Sequence, residues 1–271
     1  MKGSLVCVGT GMKLGAHISP VCKSHIENAD VVFSLVSSAL TLEWIKQMHL
    51  DVRDLQPFYA EGKSRADTYR EMIQLIVDEV QLGKKVVGAF YGHPGVFADV
   101  PHRAIKQVRR LGLEATMEPG ISAEDCLIAD LLIDPGLTGC IHYETSQFMF
   151  YQRQIDTAAH LVLWQVGTAG DQSLEKYTTS GKYRQVLVKK LTEHYPLNHQ
   201  VILYEAAITP LHKVREYRLA LSELPKADVS QHTTLVIPPS TKMEKNTKIL
   251  EELTTLDKRD KLYLVTNTLK H

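Results

Sequence analysis

Short apolar runs recur along this chain, and most of them end in glycine or proline. Leu5-Val6-Cys7-Val8, Val31-Val32-Phe33 and Val86-Val87-Gly88-Ala89-Phe90 each read as buried strands. Between the second and third, residues 64 to 82 change period. Tyr69, Met72, Ile73, Ile76, Val77 and Val80 recur at spacings of three and four, which predicts an amphipathic helix stopped by Gly83. Val100 to Gly112 reads as another helix, and Leu113 to Met117 as a short strand. Strands alternating with helices predict a largely parallel sheet. Beyond Pro119 the texture changes. His160 to Val166, Gln200 to Ala207 and Thr233 to Pro239 read as strands, and Lys182 to His194 as a helix. Arg215 to Leu221 alternates polar and apolar positions, as an exposed strand does. The pattern therefore predicts an α/β chain of two units. Residues 1–118 form a mostly parallel N-terminal domain, and 119–239 a mixed α/β domain. Residues 240–271 form a tail, with a helix over Met243 to Leu256 and a strand or extended segment over Lys261 to Asn267.

The turns carry the candidate chemistry. Phe90 to Phe97, FYGHPGVF, bends the chain sharply at the end of a strand through Gly92, His93, Pro94 and Gly95. Glycine reaches backbone angles other residues avoid and proline fixes φ, so the turn is tight and rigid. In open α/β sheets ligands bind beyond that end of the strands. The residues alone leave two readings: a ligand-binding turn with Tyr91 and His93 as its wall, or a bare loop. Arg65 and Tyr69 stand four apart and share a helix face, with Tyr59 just upstream. From periodicity alone they read first as a core tyrosine beside a solvated arginine, and second as a polar site. Ser122, in EPGISAE, reads as a helix cap or as a hydroxyl turned to a ligand.

Several classes are excluded. Lys+Arg 31 against Asp+Glu 31 gives no basic footprint for nucleic acid or for an acidic membrane surface. The four cysteines show no C-x-x-C spacing, and the twelve histidines no H-x-x-x-H pair, so no metal site is expected. Gly9-Thr10-Gly11 lacks the third glycine of a dinucleotide fingerprint, since position 14 is Leu14. Gly62-Lys63-Ser64 lacks the first glycine of a phosphate loop, since Pro57 stands there. No apolar stretch approaches a membrane span and no secretory signal opens the sequence, which predicts a cytoplasmic chain with reduced, buried cysteines.

The order VGTG, YGHPGVF, EPGISAE, WQVG, YEAA, TTLVIPP resembles the tetrapyrrole methylase superfamily of S-adenosylmethionine (SAM) methyltransferases over residues 1–239. The resemblance implies a class III methyltransferase fold with SAM in the cleft between the two domains. Most of that superfamily carries GDP or GNP where this chain has Gly92-His93-Pro94. Tyr59, Arg65, Tyr69 and Tyr91 are similar in spacing to the site of the borosin peptide α-N-methyltransferases, which methylate backbone amides of a ribosomal precursor (a RiPP pathway). The short tail without a repetitive Val/Ile-rich core resembles the split type, whose precursor is a separate protein. That resemblance implies a homodimer, a heterotetramer with the precursor, and iterative methylation in trans. Tyr59, Arg65 and Tyr69 would be catalytic. Tyr91, His93, Val96, Phe97, Ser122, Ala123, Gln165, Ala207, Thr233 and Thr234 would bind SAM. A phenol has an ordinary pKa near ~10, and a guanidinium alongside favours its ionised form. Arg65 is therefore expected to lower the pKa of a tyrosine base. The competing readings are a C-methylase of a tetrapyrrole or other small acceptor, and a silent SAM- or peptide-binding module.

Overall fold

A computed structural model describes residues 2–36, 38–209 and 211–268. The described residues form two five-stranded sheets, one after the other. The first holds β1 (Ser4–Gly9), β2 (Val31–Leu35), β3 (Val52–Asp54), β4 (Lys85–Phe90) and β5 (Glu114–Glu118). Its order is β3-β2-β4-β1-β5, and every pairing is parallel. Parallel strands are covered on both faces, and these strands are apolar on both. One face packs Leu5, Phe33, Val86 and Phe90 against α3 (Arg65–Gln81) and α4 (Asp99–Arg110). The other packs Val8, Val32, Val87 and Ala89 against α1 (Pro20–Glu27) and α2 (Ala39–Lys46). Helix α3 buries the expected stripe from Met72 to Val80 and starts at Ser64, whose hydroxyl accepts from the Ala66 amide.

The second sheet holds β6 (Cys140–Glu144), β7 (His160–Trp164), β8 (Gln200–Glu205), β9 (Arg215–Ala220) and β10 (Thr234–Ile237), in the order β6-β7-β10-β8-β9. Only β6 and β7 run parallel, so this sheet is mixed. Helices α7 (Thr145–Phe150) and α8 (Gly181–Leu191) cover one face, and α5 (Ala123–Leu131) the other, with α6 (Pro135–Thr138) following it. The strand edge β9 is exposed and charged, as its alternation predicts. Cys7, Cys22 and Cys126 are buried free thiols, and Cys140 is half-buried.

One expectation fails. The extended segment over Lys261 to Asn267 is helical instead: α9 runs unbroken from Thr247 to Thr268. Two apolar positions two apart, Leu262 and Leu264, mimic a strand only when the preceding turns are ignored. Ile249, Leu250, Leu253 and Leu256 form an exposed stripe on this helix. In the aromatic run Phe148 to Tyr151, Phe148 is fully buried in the second sheet's core, and only Phe150 and Tyr151 stand exposed. Among the described residues no helix is long and apolar enough to cross a membrane.

Candidate functional site

Three strand ends of the first sheet meet at glycines. A Cβ on Gly9 would stand 2.5 Å from the Gly92 carbonyl oxygen and 2.7 Å from the Gly120 Cα. The turns after β1, β4 and β5 thus pack backbone on backbone, which no other residue permits. They are stitched together: Gly11 donates to the Gly92 carbonyl at 3.1 Å, Gly92 donates back at 3.0 Å, and the Thr10 hydroxyl donates to the Phe90 carbonyl at 3.1 Å. Gly11 and Gly92 both lie at positive φ. The His93 Nδ1 accepts from the Gly95 amide at 2.9 Å and closes the turn. Nδ1 is therefore committed to the backbone, while the ring edge faces a cavity.

That cavity, about 470 Å³, lies above this junction and is walled by both sheets. From the first half come Tyr59, Tyr69, Tyr91, His93, Val96 and Phe97. From the second come Ser122, Ala123, Glu124, Trp164, Gln165, Glu205, Ala206 and Thr234. Two wall residues, Phe97 and Gln165, hold left-handed backbone at φ 50° and 59°. For bulky residues this conformation costs roughly 1–3 kcal/mol and clusters at functional sites. The Phe97 and Trp164 rings touch, 5.4 Å between centroids.

The tyrosines converge. Tyr59 and Tyr69 meet edge to face with ring centroids 6.2 Å apart. The loop carrying Tyr59 is held to α3 because the Phe58 carbonyl accepts from Lys63 Nζ at 3.1 Å and the Thr68 hydroxyl at 3.4 Å. Burial raises the Tyr59 pKa well above the usual phenol range, with Tyr69 and Tyr91 adding to the rise. Arg65 pulls the other way and is the weakest of these influences. Tyr91 lines the cavity and keeps 46% of its surface exposed, yet burial of its hydroxyl, and then Tyr69, raise its pKa too. The expected lowering by Arg65 is therefore reversed at Tyr59. The reason is geometric. Arg65 does not line the cavity, and its Nη2 donates to Asp171 Oδ2 at 3.5 Å. Asp171 is buried and also accepts from the amides of Ser173 and Lys176 and from the Ser173 hydroxyl. Burial opposes its ionisation, but these bonds outweigh burial and hold its pKa below the usual carboxylate range. Arg65 thus acts on Tyr59 through its charge only and is tied to the 171–176 loop, whose Leu174 carbonyl accepts from the Arg65 amide at 3.0 Å.

Of the residues expected to bind a cofactor, eight line the cavity and two do not. Ala207 yields its place to Ala206 and Ile208 on either side. Thr233 is fully buried, and its hydroxyl is spent on Glu205. Ser122 lines the cavity, but its hydroxyl donates to Asp125 Oδ2 at 2.6 Å and accepts from the Asp125 amide, a capping box. Trp164, Glu205 and Glu124 are cavity residues that the sequence reading passed over. All three sit in motifs already singled out, WQVG, YEAA and EPGISAE. Among the described residues no cluster of histidine, cysteine or carboxylate side chains could hold a metal ion.

A family model described as Tetrapyrrole (Corrin/Porphyrin) Methylases matches residues 4–225. A methyltransferase/ribosomally synthesized cyclic peptide dendrothelin A precursor of Dendrothele bispora is 38% identical over 255 residues, 93% of this chain and 61% of that protein. A methyltransferase/type I borosin cyclic peptide precursor of Coprinopsis marcescibilis is 38% identical over 268 residues, 95% of this chain and 68% of that protein. The chain thus spans about three fifths to two thirds of the length of such relatives. Among solved structures, a cobalt precorrin-4 methyltransferase superposes with a TM-score of 0.62 at 16% identity, over 87% of this chain and 94% of that one. The uroporphyrin-III-C-methyltransferase of Thermus thermophilus gives 0.59 at 19% identity, over 88% and 93%. These likenesses establish the fold.

Proposed function

The chain belongs to the tetrapyrrole methylase family, and from that premise we propose that it is a SAM-dependent methyltransferase acting on peptide backbone amides. Its substrate is a ribosomally made precursor supplied as a separate protein and methylated iteratively. The working unit is a homodimer that forms a heterotetramer with the precursor. The domain division at residues 118 and 239 belongs to the same reading.

The donor set of the cavity suits SAM. Flat aromatic faces from Tyr91, Phe97 and Trp164 stand beside small side chains, Ala123 and Ala206, and a few polar groups, Gln165, Thr234 and Glu205. The volume lies in the range of roughly 300–1,000 Å³ typical of cofactor sites. Bound there, SAM supplies a methyl group on a sulfonium. Methyl transfer needs alignment and charge stabilisation above all.

The observation that carries the peptide assignment is the convergence of three phenols, Tyr59, Tyr69 and Tyr91, on one cavity wall. An amide nitrogen is a poor nucleophile because its lone pair is delocalised into the carbonyl. Two things make it react: loss of the N–H proton, and stabilisation of negative charge on the carbonyl oxygen. Tyr59 or Tyr69 takes the proton as phenolate, the other phenol hydrogen-bonds the oxygen, and Arg65 supplies positive charge at the start of α3. Burial disfavours that phenolate until a cation shares the cavity. Homology to methyltransferase/peptide precursors supports the same acceptor class. The test is to incubate the purified chain with SAM and the small protein encoded beside it, then read intact masses. Stepwise methyl additions on backbone amides, located by fragmentation, are the expected outcome. Methylation of porphyrinogens with peptides left untouched would overturn it.

A further inference from the structure

The indole of Trp164 is anchored from behind by a histidine that the chemistry above does not use. Trp164 Nε1 donates to His142 Nδ1 at 3.1 Å. The ring planes lie within 18° of each other and the centroids 5.9 Å apart, two rings side by side joined through their edges. An indole N–H only donates. His142 Nδ1 must therefore accept, which places the single ring proton of the neutral imidazole on Nε2. That nitrogen faces Glu124 Oε1, 3.5 Å away in the first turn of α5. A second ring proton would set N–H against N–H and break the bond to Trp164. Strand register explains the meeting, because His142 on β6 pairs Val162 and sits diagonal to Trp164 on β7. Trp164 in turn backs Phe97, whose backbone is held in the left-handed region.

We propose that His142 is a positioning residue: neutral, it clamps the Trp164 indole as part of the cavity wall, and protonated it releases it. The consequence for ligand affinity rests on the cofactor reading above; the clamp itself does not. Burial lowers the His142 pKa while Glu124, facing it from α5, raises it, and lowering wins. Cys140, the next residue on the same face of β6, is a thiol whose pKa burial raises, so it stays neutral. Release of the indole therefore begins only on the acid side of neutrality.

Trp44→Phe leaves Trp164 as the one remaining tryptophan. On that background, indole emission and the affinity for S-adenosylhomocysteine are followed from mildly alkaline to mildly acidic pH. The emission is expected to follow one protonation with a midpoint below the ordinary histidine value of ~6.5. Affinity falls about tenfold across the same midpoint, the scale of one lost buried hydrogen bond. His142→Asn keeps an acceptor near the Nδ1 position and cannot be protonated. It should flatten the emission curve and hold affinity within about threefold of the parent at neutral pH. His142→Phe should bind about tenfold more weakly at every pH. An emission titration that survives in His142→Asn, or parental affinity in His142→Phe, overturns the proposal. A parent that binds no S-adenosylhomocysteine defeats the cofactor reading instead, and the emission titration still decides the clamp.

Discussion

Tyr69 sits half-buried, meets Tyr59 edge to face and lines the cavity, so its packing and its chemistry can be tested separately. Tyr69→Phe keeps the ring. If the hydroxyl serves the reaction, single-turnover methylation should fall by about 10² or more, with little change in melting temperature. Arg65→Ala should cost about 10²–10³ in kcat and much less in cofactor affinity, because its charge acts along the reaction path. Parental rates in both variants, folded and cofactor-bound, would refute the mechanism. The raised pKa of Tyr59 has a signed consequence. A base that is neutral at pH 7 gains its active form as pH rises. With Tyr59 as the base, kcat/KM for SAM, which reports the free enzyme, should climb about tenfold per pH unit without levelling off below ~10, the ordinary phenol value. A plateau near neutrality would remove Tyr59 from that role. Tyr59, Tyr69 and Tyr91 were legible through the resemblance of their spacing to a known family, because only Tyr69 shares a helix with Arg65 and periodicity alone made it a core residue. The pairing of Arg65 with Asp171 was not legible, since it spans 106 positions and belongs to the loop after β7.

Elements placed these residues, and glycine placed the elements. The strand-end junction of Gly9, Gly92 and Gly120 has no room for a methyl group, because a Cβ on Gly120 would stand 2.8 Å from the Gly9 Cα. Gly120→Ala should destabilise by about 1–3 kcal/mol, a loss of roughly 2–10 °C in Tm, and should weaken cofactor binding in parallel. Differential scanning fluorimetry with and without S-adenosylhomocysteine would measure both, and an unchanged Tm would show that the junction can relax. Strands with strong apolar runs, such as β4 and β10, were readable. Strand β6, CIHYE, was not, because four of its five side chains are polar or ionisable and it is defined by pairing with β7. The left-handed backbone at Phe97 and Gln165 leaves no compositional trace, since neither residue type announces it. The same limit separates Ala207 from its neighbours: a motif marks the stretch YEAA, and only the fold decides which alanine faces the cavity.

At the scale of the molecule, the cavity belongs to neither half alone, since both sheets contribute walls. Residues 240–271 are not expected to be its substrate. Backbone amides within α9 are tied into helical hydrogen bonds, and a methylated amide can donate none. Intact mass spectrometry of the expressed chain should show no added methyl groups. A methyl ladder on residues 262–269 would reverse the assignment, although Leu269 lies outside the described residues. The homodimer is expected to persist at micromolar concentration in sedimentation, with Phe150 and Tyr151 among its buried side chains. A monomer there would count against it.

The strand order of the first sheet also sets a timetable. β1 pairs only with β4 and β5, so the run Ser4–Gly9 has no neighbour until the ribosome has made residues 85–90. At roughly 5–20 residues per second, that leaves an apolar nascent segment without a strand partner for about 4–16 s. The second strand in from the β5 edge is thus the strand of the first sheet that waits longest for its partner, and the part a chaperone would meet first.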